Sequence, residues 1–303
     1  MSLEQDIKHK ALEVGFDAVG ITDASPLGRE HAEPLDAWLR SGYAGPMLYM
    51  YRNLAKRIDP SKLLDGARSV VVVALSYKLP SAPTRTDRVG RVAQFAQYED
   101  YHAFIKALLR ELAAFLQDRT GRSHRFKLCV DSAPLAEKAL AARAGLGFLG
   151  KNHLLIHPRL GPQILLGELL TTVELAPDEP LVGDCGDCDL CRKVCPTGAL
   201  RSDGFLDARQ CISCLTQYAP APRIGGWLFG CDECLLACPY QRRAPARANQ
   251  RFMWYPEREQ LNLRELIEMT PEQFEAKFVG SPLYKAGLEI LKRSAEICLR
   301  NAR

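Results

Sequence analysis

The sequence lacks any apolar run that could cross a bilayer. Its longest, Val70 to Leu75, falls far short of the roughly 20 residues that a spanning helix needs. A secretory leader is also missing from the reading, because Met-Ser-Leu-Glu-Gln-Asp is acidic early and carries no apolar h-region. These two absences predict a cytoplasmic protein with no membrane attachment, in a compartment where cysteines stay reduced. Strong charge of either sign is lacking as well. A net charge of +4 does not by itself argue for nucleic acid. Internal repeats are absent apart from two cysteine half-motifs. What is present is a chain of 303 residues, 47% hydrophobic and 25% charged, the composition of a globular protein. That length allows one large domain or two ordinary ones.

Cysteine is plentiful and crowded. Nine of the eleven cysteines lie between Cys185 and Pro239. The first part reads Cys185-Gly-Asp-Cys188-Asp-Leu-Cys191-Arg-Lys-Val-Cys195-Pro196, the C-x2-C-x2-C-x3-C-P run of bacterial ferredoxins. The second, Cys231-Asp-Glu-Cys234-Leu-Leu-Ala-Cys238-Pro239, repeats its last three positions. In two-cluster ferredoxins the fourth cysteine of each run ligates the other cluster. Crossed in this way, Cys185, Cys188, Cys191 and Cys238 hold one 4Fe–4S cluster, and Cys231, Cys234 and Cys195 hold three corners of a second. Leu228 stands where a full second run would begin, so the fourth corner comes from elsewhere, with Cys211 and Cys214 as candidates. C-x2-C pairs also build zinc ribbons, but a ribbon has no need of a C-x3-C-P ending on both halves. Disulfides fit neither the compartment nor the spacing of a thiolate cage. The stretch predicts an electron-transfer module.

Periodicity organises the rest. Leu3 to Val14 has helical spacing and is stopped by Gly15, after which Ala18 to Thr22 reads as a buried strand. A helix is predicted over His31 to Leu39. Ser69 to Tyr77 is the strongest strand, apolar on both faces as an interior strand should be, and Pro80 to Pro83 breaks it. Tyr98 to Gln117 reads as a long helix with Phe104, Leu108, Leu112 and Phe115 inward. Strands follow at Phe126 to Val130 and Ile164 to Val173, separated by a helix ending at Ala144 and a glycine-punctuated loop from Gly145 to His153. Strands alternating with helices imply an α/β layer over residues 1–175. The acidic, proline-containing stretch Glu174 to Asp184 is the joint into a cluster domain, residues 176–245. A helical tail, 246–303, is predicted near Leu261–Met269, Pro271–Phe278 and Pro282–Leu299. Two basic groups, Arg85, Arg88 and Arg91, and Arg242, Arg243, Arg247 and Arg251, suit a solvated face and an anionic partner equally well.

Clusters move single electrons and do not specify what is reduced. Asp131 is the best candidate for an acid, since it lies between a buried strand and a helix start. The alternative is that Asp131 or Ser132 merely caps that helix, the usual work of Asp and Ser there. The glycines of 145–150 permit a ligand's close approach, although a lone glycine pattern is weak. Lys151 and His153 suit a phosphate or the polar edge of a cofactor, and equally a surface loop. Asp100-Tyr-His102 has part of the D-x-H-x-x-G pattern that supplies a cobalt-ligating histidine, but Ile105 replaces the glycine. Cys129 and Cys298 are isolated and read as buried hydrophobes.

Together these pieces resemble the epoxyqueuosine reductase family, over almost the whole chain. The likeness lies in Gly15-Phe…Gly20-Ile, Met47-x-Tyr-Met-x-Arg52 and Arg57-x-x-Pro60…Leu64-x-Gly66-Ala-Arg-Ser-Val. It continues in Asp100-Tyr-His102, Val130-Asp-Ser-Ala-Pro134, Ala144-Gly-Leu-Gly-Phe148-x-Gly150-Lys-Asn152 and Leu166-Gly-Glu-Leu169. The cluster cysteines, Asp207-Ala-Arg-x-Cys211-Ile-Ser213 and Gly280-Ser-Pro-Leu283 complete it. The resemblance implies a cobalamin-dependent iron–sulfur enzyme that reduces epoxyqueuosine to queuosine in tRNA. It implies an α/β (α+β) cobalamin-binding domain, a ferredoxin-like domain with two 4Fe–4S clusters, and cobalamin bound base-off between them. It makes Asp131 the proton donor and Cys211 the fourth ligand of the second cluster, leaving Cys214 as an addition where the family usually has tyrosine. Arg57, Tyr101, His102, Asp131, Lys151, Asn152, His153, Ile212 and Ser213 are the expected cofactor contacts. An acid in this role works best with its pKa raised toward neutrality by burial.

Two departures accompany the likeness. The segment from Leu215 to Phe229 is shorter than the family's, and the sequence ends at Arg303 without the helical repeats that many relatives carry. The expected partners are a tRNA anticodon stem-loop and an external low-potential electron donor, with the protein a monomer. The competing readings are a reductive-dehalogenase-like cobalamin reductase acting on a small molecule, and an electron carrier or corrinoid-binding protein without turnover of its own. The cluster reading predicts about eight irons and matching sulfide per anaerobically purified chain. Metal analysis that finds stoichiometric zinc and no sulfide contradicts it.

Overall fold

The computed structural model describes residues 2–80, 90–121 and 123–302. Arg85, Arg88 and the end of the Pro80–Pro83 break lie outside the described residues. Helix α1 (Leu3–Val14) opens with a capping box between Ser2 and Gln5 and closes on Gly15, whose φ of 116° no β-carbon would tolerate easily. Strand β1 (Ala18–Asp23), helices α2 (Arg29–Arg40) and α3 (Leu54–Ile58), and strands β2 (Ser69–Ser76) and β3 (Gly90–Val92) follow. Helix α4 (Tyr101–Thr120), capped by Asp100, leads to β4 (Phe126–Cys129) and α5 (Glu137–Arg143). The hairpin β5 (Phe148–Leu149) and β6 (Leu155–Ile156) precedes β7 (Ile164–Thr171).

The principal sheet runs β1-β2-β7-β4, and every pair in it is antiparallel. Alternation of strands and helices along the chain is therefore met by α+β pairing rather than by parallel crossovers. All eight residues of β2 are buried because both sheet faces are covered. Val71, Val73 and Leu75 enter a core with α1 and α4, while Val70, Val72 and Ala74 enter another with α5. On α4 the buried stripe is Ile105, Leu108, Leu109, Leu112 and Leu116. Phe104 and Phe115, expected inward, are only partly buried at its margin. Tyr98 precedes the helix and stacks on Phe252, with ring centroids 4.6 Å apart.

Beyond β7 the joint is pinned rather than loose. Asp178 donates its N–H to the Ile21 carbonyl at 2.8 Å, accepts from the Ile21 N–H at 2.8 Å, and pairs with Lys8. The cluster segment contains short helices α6 (Leu190–Val194), α7 (Ile212–Tyr218), α8 (Glu233–Leu236) and α9 (Pro239–Arg243), with β8 (Trp227–Phe229) among them. Then come β9 (Gln260–Leu261), α10 (Leu263–Glu268), α11 (Pro271–Phe278), α12 (Pro282–Ala286) and α13 (Leu288–Asn301). The helix expected over Pro282–Leu299 is thus two, broken at Gly287, whose φ is 87°. The sheet β8-β3-β9 joins a strand from before α4, one from the cluster segment and one from the tail, and the tail helices share a core with Trp227, Leu228 and Phe229.

Gly20 of β1 is required by close packing. A β-carbon there would lie 2.1 Å from the backbone oxygen of Ala144 at the end of α5. Gly20→Ala is expected to destabilise the fold by about 1–3 kcal/mol, measured by anaerobic denaturant unfolding.

Candidate functional site

The short helices and tight turns of the cluster segment gather its cysteines into two groups. Cys185, Cys188, Cys191 and Cys238 line one cavity with Lys151, Asn152, Ile156, Pro239 and Tyr240. The N-terminal domain closes this cavity through the turn between β5 and β6. Lys151 donates its backbone N–H to Cys185 Sγ at 3.4 Å, and its ammonium to the carbonyls of Gly186 at 2.6 Å and Cys188 at 3.1 Å. Cys195, Cys211, Cys231 and Cys234 form the other group, in which Cys234 feels the charges of the remaining three. Burial, together with Asp232 and Cys211, pushes the Cys231 thiol up to about 12, and burial raises Cys234 and Cys211 too. Burial also works against the Cys195 thiolate, but backbone N–H groups of Leu200, Thr197 and Ala199 outweigh it. Buried thiols of this kind become thiolates together only around a cationic centre. Among the described residues no three Cys, His, Asp or Glu are drawn together as ligands of a single ion. Both groups suit a cubane, with its thiolates spread around a cage. Cys214, one turn along α7, is buried beside Cys211 and outside the second group. Cys129 and Cys298 are buried and solitary.

Asp131 lies on the loop after β4, and the capping alternative does not hold there. Helix α5 begins only at Glu137 with Ala136 as its cap residue, so neither Asp131 nor Ser132 caps it. Asp131 instead takes a left-handed φ of 55°, rare for a residue with a side chain, and its carboxylate is 63% exposed. Tyr101 Oη donates to Asp131 Oδ2 at 3.1 Å, and His102 Nε2 lies 3.3 Å from the same oxygen. Behind the histidine, Nδ1 is 2.7 Å from Asp100 Oδ1, and Lys285 from α12 reaches Asp100 Oδ2 at 2.8 Å. The His102 hydrogen bond, helped by the one from Tyr101 and opposed by the partial loss of water beside these neighbours, holds the Asp131 carboxyl below the usual range. The raised pKa that suits such an acid is not the state of Asp131 in the free protein. In the free protein it is an exposed carboxylate, and the raised carboxyls stand behind it. Glu137, whose Oε1 accepts the Asp131 N–H at 2.5 Å, is pushed up to about 7 by burial and the Asp131 charge.

The other expected contacts divide. Arg57 is buried, donates to the Tyr49 carbonyl at 3.1 Å, and leaves its Nε without a partner. Tyr49 feels the Asp131 charge and faces Tyr218 at the end of α7, with centroids 6.5 Å apart. Leu48, Tyr49, Tyr51 and Tyr218 are all exposed. This open aromatic face, with an orphaned guanidinium nitrogen beside it, fits a large planar cofactor between the sheet domain and the second thiol group. Ile212 and Ser213 begin α7 beside Cys211. Lys151 and Asn152 belong to the first cavity instead, and His153, neutral with its pKa lowered to about 4 by burial, takes the Lys138 ammonium on its carbonyl at 2.6 Å. The glycines of this loop serve the protein's own packing. A β-carbon on Gly147 would meet the Ile156 carbonyl at 2.2 Å. Glu137, Tyr218 and Lys285 stand in no motif of the sequence, and Tyr49 and Glu168 lie inside motifs that give them no role. Of the basic groups, Arg91 pairs with Glu233 at 2.9 Å, and Arg247 and Arg251 bond backbone carbonyls, leaving Arg242 and Arg243 exposed.

Comparison with known proteins gives the arrangement a family. The chain is 38% identical to an epoxyqueuosine reductase of Pseudomonas aeruginosa over 99% of this chain and 86% of the relative. The chain belongs to the epoxyqueuosine reductase family. The family description "Epoxyqueuosine reductase QueG, DUF1730" matches residues 57–132, and "4Fe-4S double cluster binding domain" matches residues 184–241. A relative from Cyclobacterium marinum is 36% identical over 96% of this chain and 94% of its own length. A crystal structure of an epoxyqueuosine reductase with an epoxyqueuosine-modified tRNA stem loop superposes with a TM-score of 0.90 at 31% identity, covering 99% of this chain and 81% of that one. The family's enzymes are oxidoreductases with two 4Fe–4S clusters and cobalamin, the cofactors of this chain as well.

His102→Asn is expected to let the Asp131 pKa rise toward the ordinary value of about 3.9. A carboxyl depressed on folding contributes stability above its ordinary range and loses it on acidification, so the variant should also lose less stability in acid. Carboxyl-carbon NMR titration of Asp131 checks this, and an unchanged value contradicts the role given to His102.

Proposed function

We propose that the chain reduces epoxyqueuosine to queuosine in tRNA, with Asp131 as the proton donor. Full-length similarity to enzymes of that name supports the reading, above all the high superposition on one holding a modified tRNA stem loop. The reaction consumes two electrons and two protons, opens the epoxide, forms an alkene and releases water. Cys185, Cys188, Cys191 and Cys238 would hold one cluster and Cys195, Cys211, Cys231 and Cys234 the other, and the clusters would supply single-electron transfer from an external low-potential donor. Cobalamin, when bound, supplies the low-potential cobalt for the reductive opening. The residues suited to hold it are Arg57, Tyr49, Tyr101, His102, Ile212, Ser213 and Tyr218.

The protein's own share is proton delivery and placement. Asp131 is exposed where a substrate would cover it, and covering removes the water that stabilises its carboxylate. Its pKa then rises and it can protonate the departing oxygen. Tyr101 and His102 aim it, and Asp100 with Lys285 fixes the histidine. No described helix is long and apolar enough to cross a membrane. The exposed Arg242 and Arg243 supply positive charge for a phosphate backbone.

In a strain lacking its own epoxyqueuosine reductase, this chain should restore queuosine in tRNA. Asp131→Asn, purified with both clusters, should lower the rate by about a hundredfold or more. Unrestored queuosine contradicts the function, and full activity of the variant contradicts the role of Asp131.

A further inference from the structure

Glu168 is fully buried in the middle of β7, on the face that carries Leu166 and Leu170 toward α5. Among the described residues no nitrogen or hydroxyl donor reaches either of its oxygens. The polar group beside it is the carboxyl of Glu137 on α5. Two carboxylates facing each other have no donor between them, so the contact requires a proton on one. An ionised, unpartnered carboxylate at this depth would be costly, whereas a protonated Glu168 donating to Glu137 satisfies both groups. Glu137 completes the link outward by accepting the Asp131 N–H at 2.5 Å, holding that residue in its left-handed conformation.

The surroundings favour retention of the proton. Arg57 from α3, Tyr101 from α4, the Cys129 thiol from β4, Lys138 on α5 and Asp131 face the pair. Arg57 and Lys138 are the cations among these, and the Lys138 ammonium is bonded to the His153 carbonyl. Burial, then the neighbouring Asp131 and Glu137 charges, raises the two carboxyls well above their ordinary range. Asp131 itself is an ionised group in the free protein and has no proton of its own to give.

We propose that Glu137 and Glu168 share one proton in the resting enzyme and are the store from which Asp131 is protonated in each turnover. The inference deepens the reading of Asp131 as donor and rests on it. As an O–H bond of the pair breaks, an O–H bond forms on Asp131, and the pair takes a proton from water in the same relay, so that the two buried carboxylates are not left ionised together. Nothing is oxidised or reduced in this transfer. The reaction's two protons then enter through one acid, and its electrons come from the low-potential donor. Glu137 and Glu168 are positioning residues, since they act through Asp131.

Infrared spectroscopy of the holoenzyme at neutral pH should show the carbonyl stretch of a protonated carboxylic acid that vanishes in Glu168→Gln. Single-turnover product formation on an epoxyqueuosine stem-loop should slow about tenfold in Glu168→Gln, with a larger solvent deuterium isotope effect and a rate that falls at lower pH than in wild type. Folding of the variant is checked by its stability. A carboxyl raised on folding, as Glu168 is, gives stability that is lost as pH rises through its folded-state value, so Glu168→Gln should match or exceed wild type in alkali. No band in wild type overturns the proposal. So does a folded variant with unchanged rate, isotope effect and pH profile. Wild-type enzyme that makes no product sinks the functional reading alone. The infrared arm then decides the pair, a band lost in the variant supporting the shared proton.

Discussion

The exchange of one thiolate between the two cysteine runs is the constraint on which the remaining structure depends. Cys238 lies with Cys185, Cys188 and Cys191, while Cys195 lies with Cys211, Cys231 and Cys234. Neither run can therefore form its group without the other, and residues 185–195 and 231–238 must fold against each other. Each group also needs a centre of positive charge, because burial and mutual repulsion oppose four thiolates. The cofactors are thus part of the fold as well as of the chemistry, in addition to the apolar core that the segment shares with the tail.

The sheet domain is fitted to that segment at both groups. Lys151 reaches from the β5–β6 turn to the backbone around the first, and the Trp38 indole donates to the Leu206 carbonyl at 2.6 Å near the second. Between them Lys78 donates to the Gln241 carbonyl at 2.8 Å, and Asp232 accepts the Gln94 N–H at 2.7 Å. These contacts bring the aromatic face of Tyr49 and Tyr218 next to Asp131. In the proposed reading an electron path from the thiol groups and a proton path from the carboxyls behind Asp131 meet at that face. Separating them suits the chemistry, since cubanes move electrons singly and a departing oxygen needs protons.

The cysteine chemistry was legible in the sequence because it is local: C-x2-C spacing works through a single turn. The same holds for β2, whose apolar run needs two covered faces, and for α11, where Thr270, Pro271 and Gln273 mark the start. Less was legible around Asp131. A strand followed by Asp-Ser-Ala-Pro reads as a helix cap, and only the loop through residue 136 shows that the carboxylate faces Tyr101 and His102, 30 and 29 residues earlier. Glu168 sat inside a motif, yet its burial could not be read without its partner on α5. Lys285 comes from the tail, 183 residues beyond the histidine it adjoins. The direction of strand pairing escaped for a similar reason, because alternation of elements does not fix which way a strand runs.

Crossed ligation is tested most directly by electron paramagnetic resonance of the reduced single-cluster variants Cys238→Ser, Cys185→Ser and Cys231→Ser. The account predicts that Cys238→Ser leaves the same surviving cluster spectrum as Cys185→Ser, and a different one from Cys231→Ser. A Cys238→Ser spectrum that coincides with that of Cys231→Ser would contradict it, placing Cys238 with its own run and removing the link between the two.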